Sequence, residues 1–514
     1  MSKDFYIGID VGTSSTKTGL WRADGVLIGE ATAAYPLHRP QPTWAEMDPR
    51  DWWSAVCTTV HAVLAQSNVS AQDIAAVAVD AIGWSLVPVD AHGAPLCMSP
   101  IWLDRRADSQ AASLRSSLAA KSLVELVANP LDAAYLTPKV LWLHEMQPDI
   151  YAQTHRFLEA TGYIVHQLCS AFTCDYTQAY GYHCFDIRRE RWDQDALVLL
   201  ELPPDKFPTL HPSCTIVGEV TQAAAEATGL RTGTPVIAGA LDASVGAFGS
   251  GVARVGQCSD QGGTAFGLSL CVDRVIVEPR LIFSHHVVPG TYIFQGGTVG
   301  GGVLRWFRET LGQPEAQAAA LLDDDAYTLM SREAAQAAAG AGGLIFLPYM
   351  AGERSPLWNS DARGVFAGLT FNTSRAQIIR ALMEGCAYAV YHNVQVMEAH
   401  GVRVGEWIGI GGAAKSEVWC QIKADLTGRP FVIAQRADGK AGDNTLGLAV
   451  MGMYAVGACS DLATQIEAFL PQRRVYEPDT RRHALYQEAF AVYLDLVERL
   501  RPAFKDLARI GQSG

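Results

Sequence analysis

The chain has 514 residues, which at about 150 residues per domain allows two large domains or three small ones. Apolar residues make up 49% and charged residues 18%, a composition that can bury sizeable cores and excludes intrinsic disorder. Asp and Glu outnumber Lys and Arg by 53 to 40, and the net charge of −13 excludes a broad electrostatic attraction to nucleic acid or anionic lipid.

The chain opens with two predicted strands joined by a tight glycine turn. Residues 5–21, FYIGIDVGTSSTKTGLW, predict a strand, a turn at Gly12-Thr13-Ser14 and a returning strand. The periodicity then predicts a strand, a helix, two strands and two helices, over 26–33, 51–66, 75–79, 86–89, 114–126 and 140–146. Strands first, followed by alternation of strand and helix, are typical of a mixed α/β domain.

A second strand-rich start lies near the middle of the chain. Residues 236–238 predict a short buried strand that leads to Asp242, and a helix over 243–248 follows. Residues 257–270 predict a strand, a glycine turn and a returning strand, about 250 residues after the first such hairpin. This echo favours an internal duplication, although two unrelated hairpins would give the same pattern.

The rest of the second half is mainly helical. The pattern predicts helices over 303–311, 315–341, 377–399, 417–426 and 481–506, and a strand over 407–410. No Pro- or Ser-rich linker separates the two halves, so we expect them to pack against each other around a cleft.

The sequence predicts neither export nor membrane insertion. The first ten residues lack the apolar run of a secretory signal, and Asp80 and Pro88 interrupt the most apolar stretch, residues 74–89. The 11 cysteines include no Cys-x-x-Cys pair. We therefore expect reduced thiols in a cytoplasmic enzyme.

Glycine turns between strands are candidate phosphate sites, because their backbone N–H groups are open to phosphate oxygens. Gly12-Thr13-Ser14 and Gly263-Thr264-Ala265 would clamp a polyphosphate from two sides. Neither turn matches the P-loop or the Rossmann glycine pattern. Each turn alone is more typical of a structural hairpin, whereas the pair, with Asp10 ahead of the first turn, favours phosphate and metal binding.

Two further positions carry candidate chemistry. Gly411-Gly412-Ala413-Ala414 lies between a predicted strand and helix, and would either let a flat base lie on the backbone or serve tight packing. Asp242 follows a buried strand, where a carboxylate accepts a substrate proton or holds a hydrated Mg²⁺. The same aspartate is also typical of an N-cap for the helix that follows it.

Taken together, these segments resemble the FGGY family of carbohydrate kinases, within the superfamily of sugar kinases, actin and heat-shock chaperone ATPases. Residues 8–17, GIDVGTSSTK, resemble the first phosphate motif of the family. Residues 137–143, TPKVLWL, resemble the core of its first signature, although Ala134 departs from the outer position. Residues 364–369 and 377–385 match the second signature, and residues 352–356 match the segment ahead of it. Residues 411–419 resemble the adenosine motif.

The resemblance implies an α/β fold of two duplicated ribonuclease-H-like, actin-like ATPase domains around a central cleft, with 1–248 on the sugar side and 249–514 on the nucleotide side. It implies ATP, Mg²⁺ and transfer of the γ-phosphoryl group to a sugar hydroxyl. Asp242 then corresponds to the catalytic base, and Asp10 and Asp242 would hold Mg²⁺ through water. The implied contacts with the nucleotide and its phosphates are Gly12, Thr13, Ser14, Lys17, Gly263, Thr264, Gly301, Arg305, Gly411, Gly412 and Ser416.

The sugar side departs from the family at Trp84, where xylulose and gluconate kinases typically carry a histidine. Trp84 would stack on a sugar, although a buried core tryptophan would give the same sequence. Trp102, Asp104 and Arg106 resemble the sugar-side Trp-x-Asp-x-Arg segment of the family. As an alternative, Asp104 and Arg106 would form an ordinary ion pair.

The whole pattern most resembles the xylulose kinase-like branch, so we expect a kinase of D-xylulose or a related ketose. A gluconate kinase is the nearest alternative, because Arg105 or Arg106 would meet the substrate carboxylate, and Trp84 leaves another ketose or polyol open. An actin- or chaperone-like ATPase, which needs no sugar, is the alternative of a different class. The expected partners are the sugar and, since family members are often dimers, a second copy of the chain; nucleic acid and membrane are not expected.

Overall fold

The computed structural model describes residues 4–512, which form two compact units, each built from several segments. The first unit comprises the chain up to Ala253 together with Val272–Ile293 and Arg436–Pro471. The second comprises Arg254–Cys271, Phe294–Gln435 and the chain from Gln472 onward. The expected division after residue 248 lies close to the end of the first segment, but two later segments return to the first unit.

Residues 4–253 alternate short strands with helices. The strands are β1 Phe5–Val11, β2 Ser15–Arg22, β3 Leu27–Ala34, β4 Glu46–Met47, β5 Ile74–Ala81, β6 Val87–Val89, β7 Ser99–Pro100, β8 Arg156–Leu158, β9 Thr173–Asp175, β10 Phe185–Asp186, β11 Arg191–Trp192, β12 Thr209–His211, β13 Ile216–Glu219, β14 Pro235–Ile237 and β15 Ala240–Leu241. The helices are α1 Pro49–Ser67, α2 Asp108–Ser116, α3 Ala120–Val127, α4 Leu136–Met146, α5 Pro148–Gln153, α6 Ala160–Cys169, α7 Tyr176–Ala179, α8 Gln194–Leu199, α9 Gln222–Thr228 and α10 Asp242–Gly249.

The remaining residues, 254–512, contain longer helices. The strands are β16 Gln257–Gly262, β17 Ala265–Val272, β18 Ile282–His285, β19 Tyr292–Val299, β20 Ile345–Leu347, β21 Val365–Ala367, β22 Glu406–Gly411, β23 Phe431–Gln435 and β24 Gln472–Tyr476. The helices are α11 Gly302–Thr310, α12 Gln313–Leu322, α13 Ala326–Ala334, α14 Arg375–Glu398, α15 Glu417–Thr427, α16 Asn444–Ala455, α17 Leu462–Phe469 and α18 Thr480–Gln512.

The main sheet of the first unit has the strand order β3-β2-β1-β5-β14-β13. β2 runs antiparallel to β1 and β3, β5 and β14 run parallel to β1, and β13 is antiparallel to β14. The short strand β15 extends the sheet by pairing in parallel with β5. Every residue of β5 is buried, as expected for a central strand covered on both faces.

Helix α16 covers the first-unit sheet, although it is far along the chain. It packs on β1, β5 and α10, and nine of its residues, Thr445 to Met453, are buried without interruption. A Cβ at Gly8 of β1 would lie 2.5 Å from the Thr445 carbonyl oxygen. Glycine at this position therefore allows the close approach of helix and strand.

The second unit repeats the arrangement of the first. Six strands have the order β19-β17-β16-β22-β23-β24. β16 is antiparallel to β17 and parallel to β22, β23 is parallel to β22, and β24 is antiparallel to β23. Around β16 the strand directions therefore match those around β1, which supports the duplication predicted from the two glycine hairpins.

Most predicted elements are confirmed, with differences at two places. The helix predicted over 114–126 is divided between α2 and α3, because Ser117 is extended and its hydroxyl donates to the Leu114 carbonyl at 2.7 Å. Serine side chains that bond the backbone compete with the helix in this way. The helix predicted over 315–341 is likewise divided between α12 and α13 at Asp323, whose φ of 52° is left-handed.

Two findings concern the whole described chain. None of the helices within residues 4–512 combines the length and the apolar character that a membrane crossing requires. All eleven cysteines are free thiols, in agreement with the prediction from their spacing.

Candidate active site

Three carboxylates lie at the carboxyl ends of adjacent strands in the first unit. Asp10 is near the end of β1, Asp80 near the end of β5, and Asp242 directly follows β15. Asp10 is opposite Asp80 in the strand register, and Asp80 is opposite Ala240 of β15. Asp80 is fully buried, whereas Asp10 and Asp242 are partly exposed. Because ligands of α/β sheets bind outside the carboxyl ends of the strands, this edge is the candidate catalytic centre.

The three carboxyl groups hold their protons to unusually high pH. Burial, followed by the charge of Asp443, raises the pKa of Asp10 to about 6, although Lys17 opposes this shift. Burial and the charge of Asp10 raise the pKa of Asp242 to about 7. Burial, followed by the charges of Asp10 and Asp242, holds the pKa of Asp80 well above its usual range. A carboxylate that accepts a proton near neutral pH suits general-base catalysis.

Asp242 is also the first residue of α10. Its Oδ1 accepts the backbone N–H of Ala243 at 2.7 Å. This bond uses one of the two carboxylate oxygens, so stabilising the start of the helix and accepting a substrate proton are compatible roles. No group of three or more His, Cys, Asp or Glu side chains within residues 4–512 is arranged to hold a metal ion.

The first predicted phosphate turn is a well-braced hairpin in the first unit. The Gly12 N–H donates to the Ser15 carbonyl at 3.0 Å, and the Tyr35 hydroxyl donates to the Gly12 carbonyl at 2.6 Å. Trp102 Nε1 donates to Thr13 Oγ1 at 3.2 Å, so Trp102 lies against this turn. Ser14, at the tip, is exposed and open to a ligand.

Lys17, predicted to contact a phosphate, is held by two carboxylates. Its Nζ lies 2.7 Å from Asp443 and 2.6 Å from Glu30. Burial alone would lower the pKa of Lys17, but the charges of Asp443 and Glu30 raise it. Burial alone would raise the pKa of Asp443, but the charge of Lys17 holds it below its usual range. The position of Lys17 thus serves to anchor the start of α16, where Asp443 is the N-cap.

The second unit contains a cavity of about 820 Å³, a volume suited to a nucleotide. Six of the residues predicted to contact the nucleotide lie in its wall: Gly263, Thr264, Gly301, Arg305, Gly412 and Ser416. The Gly301 N–H donates to the Gly263 carbonyl at 2.8 Å, and Arg305 donates to the Thr264 hydroxyl at 2.7 Å. Two glycine segments and the first turn of α11 therefore form one wall together.

Sequence patterns do not predict all residues that line this cavity. Tyr327, Ser331 and Arg332 on α13 also line it, and the alanine-rich pattern of this segment predicts only a helix. Ser331 Oγ lies 2.6 Å from Ser416 Oγ, and Ser416 also caps α15. Gly411 does not line the cavity; its φ of 79° and a would-be Cβ contact of 2.8 Å with the Gly262 carbonyl explain the glycine there.

Trp84 follows β5 and belongs to an aromatic cluster in the first unit. Its backbone adopts a left-handed φ of 54°. Its ring centroid lies 4.3 Å from that of Tyr135 and 6.0 Å from that of Tyr180. Lys139, from the resembled signature, fixes this turn by donating to the Trp84 carbonyl at 2.6 Å. Burial lowers the pKa of Lys139 to about 7. Burial and, after it, the charge of Asp242 raise the pKa of Tyr180. Tyr180 therefore lies near the candidate base, and so does the aromatic cluster.

Asp104 and Arg106, predicted to contact the sugar, form a buried ion pair. Arg106 Nη2 lies 2.8 Å from Asp104 and 2.5 Å from Glu46, and its guanidinium lies 3.7 Å from the centre of the Trp44 ring. The second Asp104 contact is with the Ala45 N–H at 2.7 Å. Protein groups thus satisfy both side chains, as the ion-pair alternative expects, and the sugar contact stays a prediction.

Two polar residues of the centre were missed. In the sequence, Asp80 stands out only as an interruption of an apolar stretch, and Asn444 belongs to none of the motifs. Asn444 Nδ2 donates to Asp80 Oδ2 at 2.6 Å and to the backbone carbonyl of Asp242 at 3.0 Å. A charged residue inside an otherwise apolar strand was a usable signal for Asp80, whereas nothing local marks Asn444.

Comparisons with known proteins agree along the chain. The profile of the FGGY family of carbohydrate kinases, N-terminal domain, matches residues 5–249, and that of the C-terminal domain matches 275–456. A xylulose kinase of Staphylococcus epidermidis is 27% identical over 99% of this chain and 100% of its own length. A gluconokinase of Bacillus subtilis is 27% identical over 88% of each chain. The crystal structure of a ligand-bound xylulose kinase from Lactobacillus acidophilus is similar with a TM-score of 0.88, at 25% identity over 98% of this chain and 99% of the other.

Proposed function

We propose, from the premise that this chain belongs to the FGGY family of carbohydrate kinases, that it phosphorylates D-xylulose or a related ketose with Asp242 as the catalytic base. Membership makes the chain an ATP-dependent sugar kinase with the two-domain actin-like ATPase fold of that family. The observation that carries the proposal is the position of Asp242 at the carboxyl ends of the strands, with a pKa of about 7.

The mechanism follows from the weakness of the nucleophile. A sugar hydroxyl does not attack a phosphate readily, so Asp242 orients it and takes its proton as the γ-phosphoryl group transfers in line. The rest of the catalysis is positioning and neutralisation of charge. The donors that we assign to the phosphates are the N–H groups and hydroxyls of Thr13, Ser14 and Thr264, because the N–H groups of Gly12 and Gly263 already donate to carbonyls of their own hairpins. The cavity beside Gly412 would hold the adenine ring.

Mg²⁺ would be held at Asp10 and Asp242 through bound water. Their donors are carboxylate oxygens, which Mg²⁺ prefers, and the repulsion that raises the pKa of Asp242 is of the kind a cation relieves. Bound there, Mg²⁺ would neutralise charge on the transferring phosphoryl group.

The charges of the first unit favour a ketose over gluconate. The two arginines that would meet the gluconate carboxylate are already paired: Arg106 with Asp104 and Glu46, and Arg105 with Asp132 and Asp108. Trp84 is half-buried and packs against Tyr135 and Tyr180, and an aromatic side chain at this place would stack on the C–H face of a neutral sugar. Gluconate stays the second candidate because the gluconokinase relative is as similar as the xylulose kinase.

The experiment that tests the proposal measures ADP release with pentuloses, gluconate, glycerol and tetritols, and with no acceptor. We expect the highest kcat/KM with a pentulose, and ATP turnover that depends on the acceptor. Turnover independent of any acceptor would instead indicate an ATPase that works as a conformational switch.

Asp242→Asn tests the base itself. We expect at least about a thousandfold loss of kcat, because the variant keeps the shape of the side chain and cannot take the proton. ADP binding should remain, since the nucleotide cavity is in the other unit. The matched control is Asp195→Asn, which changes an exposed carboxylate on α8 and should keep full activity. Near-normal turnover by Asp242→Asn would refute the assignment.

A further inference from the structure

The start of α16 contacts the candidate base through one side chain. Asn444 is the first residue of α16, and its Nδ2 carries two hydrogens. One is donated to Asp80 Oδ2 at 2.6 Å and the other to the Asp242 backbone carbonyl at 3.0 Å. A single amide therefore joins the end of β5 to the residue that we assign as the base.

We propose that Asn444 is a positioning residue for phosphoryl transfer, which holds the Asp242 main chain in place by bridging it to Asp80. The inference rests on the proposed function, since it assumes that Asp242 takes the proton of the acceptor. Asn444 itself touches neither the proton nor the phosphate in this role, and acts only through Asp242.

The anchoring side of the bridge is rigid. Asp80 is fully buried, and its backbone is in β5 between β1 and β15. On the other side, the N–H of Leu241, one residue before the base, donates to the Thr177 hydroxyl at 2.7 Å. Asp242 is thus restrained by hydrogen bonds to its own carbonyl and to its neighbour's N–H, where displacements near 1 Å cost about a hundredfold in rate.

The stability of α16 does not explain these bonds. Asp443 already caps the helix, accepting the Leu446 N–H at 3.0 Å and pairing with Lys17 at 2.7 Å. Thr445, in the same turn, accepts from Trp21 at 3.1 Å and donates to Asp443 at 2.9 Å. These contacts secure the helix start, whereas the two side-chain hydrogen bonds of Asn444 go to groups of the candidate centre.

The test compares Asn444→Ala and Asn444→Asp, neither of which can donate to the Asp242 carbonyl. We expect kcat for the acceptor to fall about tenfold or more in both variants. The KM for ATP and the affinity for ADP should change less than about twofold, and ATP hydrolysis without acceptor should stay the same. The ratio of sugar phosphate formed to ADP released should therefore fall, a result that a general loss of folded protein does not produce.

Thr445→Val is the matched structural control. It is isosteric and removes two hydrogen bonds from the same turn, but none to Asp242. It should lower Tm and leave the product ratio unchanged. The inference is overturned if Thr445→Val lowers the ratio as much as Asn444→Ala, or if either Asn444 variant keeps the wild-type kcat. If Asp242→Asn is active, the proposed function fails instead; if Asp242→Asn is inactive and Asn444→Ala is normal, only this inference fails.

Discussion

Asp10 is a residue whose ionised form the fold accommodates poorly. Burial and the charge of Asp443 raise its pKa to about 6, so the folded chain binds this proton more tightly than the unfolded chain, where the pKa is about 4. Ionisation therefore lowers the free energy of unfolding as the pH rises from about 4 to about 6, and the loss is complete above that range. Catalytic groups commonly reduce stability in this way.

Asp10→Asn should therefore stabilise the protein while it impairs the kinase. Since one pKa unit corresponds to about 1.4 kcal/mol, we expect the free energy of unfolding at pH 7.5 to rise by about 3 kcal/mol. At pH 4 Asp10 is largely protonated and most of the difference should disappear. Urea unfolding at the two pH values measures it, with Asp195→Asn as the exposed control. A destabilised variant at pH 7.5, or an equal gain at both pH values, would contradict the argument.

At the same scale, partners decide which site residues can be predicted from sequence. Asp10 and Asp242 can be singled out because each lies at the carboxyl end of a predicted strand, at a position that the family resemblance also marks. Arg106 is not, because Glu46, sixty positions earlier, helps to satisfy it. Asn444 acts on Asp242 across some two hundred positions, and no local pattern encodes such a contact.

At the scale of elements, the approach of α16 to β1 depends on the absence of a side chain at Gly8. A Cβ there would lie 2.5 Å from the Thr445 carbonyl oxygen and 2.9 Å from Leu448 Cβ, closer than real contacts allow. Gly8→Ala should lower the free energy of unfolding by about 2–4 kcal/mol, because helix and strand must separate. Thermal and urea unfolding measure the change.

Gly29→Ala is the matched control for Gly8→Ala. Gly29 is in β3 of the same sheet, where the nearest atom to an added Cβ is 3.5 Å away, an ordinary contact. It should be neutral or slightly stabilising, since alanine loses less entropy than glycine on folding. Equal effects of the two substitutions would show that the contact with α16 does not set the requirement for glycine.

Elements were predictable where periodicity and turn residues agreed. The first hairpin and α14 follow their patterns to within two residues. The two helices that break, at Ser117 and Asp323, do so through side-chain bonds and a left-handed residue, which an apolar period does not record. Hydrophobic spacing predicts which face is buried, and it says little about where a helix must stop.

For the whole molecule, the duplication was predictable and the path of the chain was not. Two glycine hairpins mark β1-β2 and β16-β17, and the strand directions around them match. The segment Arg436–Pro471, which returns to the first unit, contains α16, and the apolar sequence of α16 after Thr445 fits any buried position. The carboxylates of the candidate catalytic centre thus lie in the first unit, and the candidate nucleotide cavity lies in the second.

This division predicts that nucleotide binding can be lost without loss of the acceptor site. Gly412 lines the second-unit cavity, and a Cβ there would meet only the Gly262 carbonyl, at 3.6 Å. Gly412→Leu should therefore fold normally, occupy part of the cavity and weaken ADP binding about tenfold or more, since a tenfold change is only about 1.4 kcal/mol. The KM for the acceptor should be unchanged.

Gly405→Leu, in the same unit and equally open but outside this cavity, should bind ADP normally. Calorimetric titration with ADP and acceptor kinetics decide the matter, and normal ADP binding by Gly412→Leu would place the nucleotide elsewhere.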